Sequence, residues 1–267
     1  MKRILSEELE RAFRNPRFII IAVLALACYV IGNYRSPMPT FSPDAPLHPV
    51  NRLMLNLQYG EFAFLAALLA TLPFADSFLT DRDQGFLRLV ALRAPYHRYR
   101  AAKILAVALA GGSGLLLSLL IIFLAGLGAP TDWNATVYSA TSTLNNGVPW
   151  GPFGGLYTQN PLYYLLYLLT SAFGFGAVYA LLGLAVSTVV SNRYVVLAAP
   201  LVFVQVLGFL EERSLRLTTV FNPLYSLLPF DAYEGFLPAE QFVQFGLVLG
   251  VSVLCVLILA RRTRVTF

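Results

Sequence analysis

Six stretches of this sequence are apolar for long enough to cross a lipid bilayer, and no other feature constrains the fold as strongly. They run at about 18–34, 60–79, 104–128, 161–190, 194–210 and 241–260, against the roughly 17–25 residues a spanning helix needs. Hydrocarbon offers no partner for backbone N–H and C=O groups, so each stretch must satisfy its own as a helix. Pro73 and Pro200 fall inside the second and fifth stretches, where each removes one backbone bond and is tolerated in a bundle. The fourth is overlong and is predicted to tilt or to project beyond the lipid. Composition agrees: 57% of the 267 residues are hydrophobic and 12% charged. Soluble domains carry about 25% charged residues, so this chain lacks the polar groups to coat a water-soluble body. The predicted fold is all-α and integral to the membrane, one transmembrane domain of six helices.

Basic residues orient the spans. Of 19 Lys and Arg, fifteen fall on one side of this topology; Arg35, Arg52, Arg213 and Arg216 fall on the other. Positive charge accumulates on the cytoplasmic side, so a multi-pass protein of the cell membrane with both termini in the cytoplasm is expected. The formal net charge of +5 is then a matter of orientation, and no nucleic-acid partner is implied. Cys28 and Cys255 lie within apolar runs as small hydrophobes, and His48 and His97 lie in separate loops. No metal site is predicted. The apolar run that contains ALAC, ending at Cys28, follows 17 residues that include Glu7, Glu8 and Glu10, unlike the short basic start of a cleaved signal.

Two cytoplasmic segments read as amphipathic helices. In residues 1–16, Leu5, Leu9, Ala12 and Phe13 share a face, Glu7–Arg11 and Glu10–Arg14 are spaced as i,i+4 pairs, and Asn15-Pro16 ends the segment. A helix lying along the membrane surface is expected. Between spans two and three, the loop 81–100 places Phe86, Leu89, Val90 and Arg93 at i, i+3, i+4 and i+7. Asp81 and Asp83 stand where a helix start favours negative charge, and Pro95 closes the turn. A helix of about ten residues is unstable alone in water, so this one must dock on lipid headgroups or on another protein.

This layout resembles the ABC-2 type permease family, the membrane subunits of ATP-driven bacterial exporters. The loop carries the likeness in Asp81-Arg82-Asp83-Gln84-Gly85, Phe86-Leu87-Arg88-Leu89-Val90, Ala94-Pro95 and Lys103 at the entry to span three. Phe86 departs from the small polar residue of many relatives. The resemblance implies a short cytoplasmic coupling helix that meets a separate ABC ATPase subunit through Asp83, Gly85, Phe86, Arg88, Leu89 and Arg93. It also implies a pathway lined from spans two and five, with Phe64, Thr71, Phe203, Gln205 and Phe209 as candidates, and a second copy of this or a related permease. ATP and Mg would then belong to the partner. This chain has only Lys2 and Lys103, neither after a Gly, so AGGSG at 110–114 is not an ATP-binding loop. Its small residues, like Gly174, Gly176 and Gly183, suit close helix packing.

Glu61 and Asp76 fall near the two ends of span two, and the span centres carry no ionisable group. Proton- or ion-coupled transport and intramembrane hydrolysis therefore have no visible machinery, and no catalytic residue, enzyme activity or cofactor in this chain is predicted. The outer loops, 129–160 and 211–240, are rich in aromatic and polar residues that suit an interfacial belt, and Asn134-Ala-Thr matches a glycosylation sequon. The expected function is a permease subunit moving an amphipathic or hydrophobic cargo: a peptide antibiotic, drug or lipid-like compound. The alternative is a non-transporting anchor or sensor that holds partners on its basic face.

Overall fold

A computed structural model describes residues 2–36, 46–86, 95–135, 153–214, 222–228 and 238–262. The helices are α1 (Lys2–Phe13), α2 (Arg17–Arg35), α3 (Pro49–Tyr59), α4 (Phe62–Thr71), α5 (Ser77–Asp83), α6 (Tyr96–Leu127), α7 (Gly154–Gln159), α8 (Pro161–Ser187), α9 (Arg193–Ser214) and α10 (Pro238–Arg262). Five are long and apolar enough to cross a membrane, namely α2, α6, α8, α9 and α10; the pair α3–α4 makes a sixth if its bent halves form one span.

The stretch expected to span at 60–79 is not one continuous helix. Gly60 and Glu61 split α3 from α4 at an angle of 84°, and Pro73 falls in the turn that separates α4 from α5. The first break is built on contact. A Cβ at Gly60 would lie 2.3 Å from the Asn56 carbonyl oxygen and 2.5 Å from that of Cys28, so only glycine lets the corner sit against α2. Glu61 then turns left-handed, with φ 58°, and pairs with Arg35 at the end of α2. His48 starts α3 by accepting the Val50 N–H on Nδ1 at 3.2 Å, with Pro49 in the first turn, where a missing N–H costs nothing. Residues Pro49 to Leu57 are all buried. They belong to the packed interior, although Asn51, Arg52 and Asn56 make the sequence read as outer loop.

The interior is centred on α6 and α8. A Cβ at Gly111 would meet the Ala180 Cβ at 2.3 Å and the Gly176 carbonyl oxygen at 2.7 Å; one at Gly176 would meet the Gly111 oxygen at 2.5 Å. The glycines thus bring two backbones together, as small residues do in membrane bundles where dispersion and not water exclusion drives packing. Gly183 sits less tightly on Ala75 and Thr71, at 3.0 and 3.1 Å, while Gly174 faces the Phe245 ring. Half of the spanning windows of α6 and α8 is buried, against 28% for α2, 17% for α9 and 22% for α10; the latter three are the periphery.

Polar contacts gather at the two ends of the bundle. One end holds Glu8, Arg11, Arg17, Asp76, Asp81, Lys103 and Arg193. At the other, Arg52 donates to the Pro130 carbonyl at 2.5 Å, Tyr157 donates to Asn51 at 2.6 Å, and Leu47 bridges to Thr131. Successive spans run in alternating directions between these ends. The expected outer-loop segments 136–152, 215–221 and 229–237 lie outside the described residues.

Candidate functional site: a buried charge clamp beneath the loop

Helix α1 forms over Lys2–Phe13 and ends before Asn15-Pro16 as the sequence expects, and Arg14 pairs with Glu10 at 2.6 Å. Its buried face is shifted from the expected one. Phe13 is 49% exposed and stacks on Phe18, whereas Glu8 and Ala12 are buried. Helix α1 therefore seats an acidic side chain, not a purely apolar stripe, against the head of α6.

That acid has two partners in the interior. The Lys103 ammonium lies 2.6 Å from Glu8 Oε2 and 2.6 Å from Asp81 Oδ2. Arg11 donates to Asp81 Oδ1 at 2.8 Å and to Glu8 Oε1 at 3.1 Å. The Tyr99 hydroxyl donates to Asp81 Oδ2 at 2.5 Å. The rings of Phe74 and Tyr99 lie 4.9 and 5.3 Å from the ammonium, where their electron-rich faces attract a cation. Side chains of Glu8, Asp81 and Lys103 are 5%, 0% and 2% exposed. Two carboxylates thus face two cations, and the cluster is neutral as a unit. Burial alone pushes the Asp81 carboxyl up, but Lys103, Arg11 and Tyr99 together hold it below its ordinary value.

Asp81 and Asp83 occupy the last turn of α5 and not a helix start, which corrects the sequence expectation. The helix stops at Gln84, and Gly85 takes the left-handed conformation with φ 70°, its N–H reaching the Arg82 carbonyl at 3.1 Å. This is the glycine-ended helix cap. It ends α5 just after Asp81 has been anchored. Asp83, Gly85 and Phe86 are exposed, and the Phe86 ring lies 5.3 Å beneath the Arg11 guanidinium. Arg88, Leu89 and Arg93 lie outside the described residues. Pro95 then caps α6, which begins at Tyr96, well before the expected span at 104. Both roots of the loop therefore enter the same cluster, one through Asp81 and the other through Tyr99 and Lys103.

A second joint lies deeper. Asp76, 2% exposed, receives Arg17 on both oxygens at 2.7 and 2.9 Å and pairs with Arg193 at 2.6 Å. Arg17 also donates to the Leu72 carbonyl at 2.9 Å, and Asn15 to that of Pro73 at 2.7 Å. The carbonyls exposed where Pro73 interrupts the ladder are thereby satisfied, as a break at membrane depth demands. One carboxylate ties the starts of α2 and α9 to the start of α5.

The candidate pathway residues do not form one surface. Thr71 is buried, its hydroxyl 3.0 Å from the Leu197 carbonyl. Gln205 reaches the Phe64 carbonyl at 3.4 Å, bridging α9 to α4. Phe64 and Phe209 are 47% and 57% exposed. Phe203 stands two residues from Gln205, about 200° around the helix, and lines a cavity of about 290 Å³ with Leu182, Leu207, Gln244, Leu247, Val248 and Val251.

The sequence reading missed Glu8, Tyr99 and Arg17 as site residues. Only Glu8 left a local trace: it stands three residues after Leu5 and four before Ala12, flush with the apolar stripe. No protein-family model matches the chain, and no curated protein matches it at a significant level.

Proposed function

We propose that this chain is a membrane subunit of an ATP-driven exporter of the ABC-2 permease type, working with a separate ATPase and with a second copy of itself or a related chain. The clamp is the observation that carries this reading. The residues that flank segment 87–94 on both sides join one neutral, buried cluster, Asp81 before it and Tyr99 and Lys103 after it. A force on that loop would be delivered to α1, α5 and the head of α6 together, and through Asp76 to α2 and α9. Buried ion clusters resist separation because each charge left alone would face a large desolvation cost, so the joint moves as a block. Such a part has a use where a soluble motor pushes on a membrane bundle and biases it between two states. The cell membrane with cytoplasmic termini, ATP and Mg in the partner, and an amphipathic or hydrophobic cargo belong to the same proposal.

The test is a mild-detergent purification of the tagged chain from its host, with mass spectrometry of co-purifying proteins. An ATPase with a phosphate-binding loop, present in stoichiometric amount and lost when residues 84–95 are scrambled, is the expected result. A chain that purifies without any ATPase, while remaining folded, favours the anchor or sensor reading.

A further inference from the structure

His48 gives α3 a cap that can titrate. Its Nδ1 accepts the Val50 N–H at 3.2 Å, a bond that a side-chain oxygen of Ser, Thr, Asp or Asn supplies at most helix starts. The first four N–H groups of a helix have no partner inside it. Val50 is fully buried, so water cannot take the place of the ring. An imidazole nitrogen differs from those oxygens in one respect: close to neutral pH it takes up a proton, and then it donates and no longer accepts.

The ring also holds a second element. Trp133 meets it edge to face, with 5.8 Å between centroids. Around that contact the segment after α6 is joined to the start of α3. Leu47 bridges to Thr131, the Asp132 N–H reaches the Leu47 carbonyl at 3.2 Å, and Arg52, one turn into α3, donates to the Pro130 carbonyl. His48 is 5% exposed and Trp133 52%, so the imidazole is the inner half of the joint and the indole its cover. Few charged groups stand near it among the described residues. Asp132 faces the ring from the segment, Arg52 stands on α3, and Arg35 and Glu61 at the far corner of α3 pair with each other. Residues 129–170 hold no other Asp, Glu, Lys, Arg or His, and Asp44 lies outside the described residues. Burial pushes the pKa of the imidazole below its ordinary value of 6.5, and Asp132 offsets part of that.

We propose that His48 is a proton-operated latch at the end of the bundle opposite the clamp: a proton taken from water onto Nδ1 removes the acceptor of the Val50 N–H and frees the start of α3 from segment 130–133. After protonation two N–H groups face each other within a buried joint, and the new charge sits at a helix N-terminus, where the macrodipole opposes it. Turning the ring over gives no relief, because a C–H then faces Val50. The latch requires the neutral ring, so it is whole above about pH 6.5 and is lost as pH falls below that value. Helix α3 leads through the Gly60 corner into α4. Mild acid therefore loosens one end of the bundle while the clamp at the other, whose Asp81 carboxyl is held below 3.8, stays closed. The device needs no ATPase and stands or falls separately from the exporter proposal.

The experiment uses the full chain in phosphatidylcholine nanodiscs with Trp150→Phe, which leaves Trp133 as the one indole. An imidazolium against an indole quenches its emission more strongly than a neutral imidazole does. As the pH is lowered from about 8 to about 5, Trp133 emission is expected to fall with a midpoint below 6.5. Hydrogen exchange across residues 47–55, corrected for its intrinsic pH dependence, is expected to lose about tenfold in protection over the same window, the effect of one lost cap. His48→Asn keeps a capping side chain that does not titrate and is expected to hold that protection level, which also sets aside His97 at the start of α6. Asp132→Asn removes the carboxylate that favours the charged ring, so it is expected to move the emission midpoint to lower pH. The proposal is overturned if the native midpoint lies at or above 6.5, if His48→Asn loosens with acid like the native chain, or if Trp133 titrates while protection of 47–55 does not change. Should His48→Asn fail to fold, the Asp132→Asn shift decides: an unmoved or raised midpoint overturns the proposal.

Discussion

Removing Lys103, the buried cation of the cluster, strips counter-charge from two buried carboxylates at once. Its ammonium touches Glu8 and Asp81, and truncating one member of such a cluster is strongly destabilising, about 3–5 kcal/mol. Lys103→Met is expected to lose that much in denaturant titration of the detergent-solubilised chain. Adding Glu8→Gln to it should recover most of the loss, because Asp81 and Arg11 then remain as a balanced pair. Recovery would separate an electrostatic joint from simple packing of the lysine stem. Acid gives a second readout. The Asp81 carboxyl is held below its ordinary value of 3.8, so its contribution is complete above that pH and is lost as pH falls below it. Hydrogen exchange across residues 2–13 should stay slow down to about pH 4 and accelerate below it; a release of α1 near neutral pH would refute the assignment. The sequence shows Asp81 and Lys103 as motif residues through the loop's resemblance. It does not show that they touch, because the partners at 8, 81, 99 and 103 come from three helices and no local spacing encodes their meeting.

At the scale of helices, glycine sets which backbones approach. Gly176→Leu places a side chain where even a Cβ would lie 2.5 Å from the Gly111 carbonyl oxygen, so α6 and α8 must part. A loss of at least about 1–3 kcal/mol is expected, the range for overpacked interiors, whereas Gly246→Leu, which meets nothing within 4 Å, should leave stability nearly unchanged. Paired thermal unfolding of the two variants checks this. The positions of α2, α6, α8, α9 and α10 were legible because hydropathy over some twenty residues is a cumulative signal that a few polar residues cannot mask. The α3–α4 corner was not. Its cause is a contact between Gly60 and the Cys28 carbonyl across two helices, and α3 hides its polar residues by pairing them with Pro130 and Tyr157, neither of which is near in sequence.

Across the whole molecule, charge and packing divide the labour. The basic end carries both joints, the centre is the apolar α6–α8 contact, and α2, α9 and α10 turn most of their surface outward. The proposed orientation, with the basic end in the cytoplasm, predicts that a cysteine introduced at Ser6 reacts with a membrane-impermeant maleimide only after permeabilisation, and one at Thr131 in intact cells. The reverse pattern would invert the orientation.

The clamp also dictates an order of synthesis. Glu8 and Asp81 leave the ribosome well before Lys103, so a nascent chain that ends ahead of the third span carries two carboxylates against Arg11 alone. Helix α1 cannot settle until that lysine arrives, and its docking marks the moment when the third span has been delivered to the membrane. Released chains truncated after residue 95 should leave α1 open to protease, and released chains extended through residue 130 should protect it.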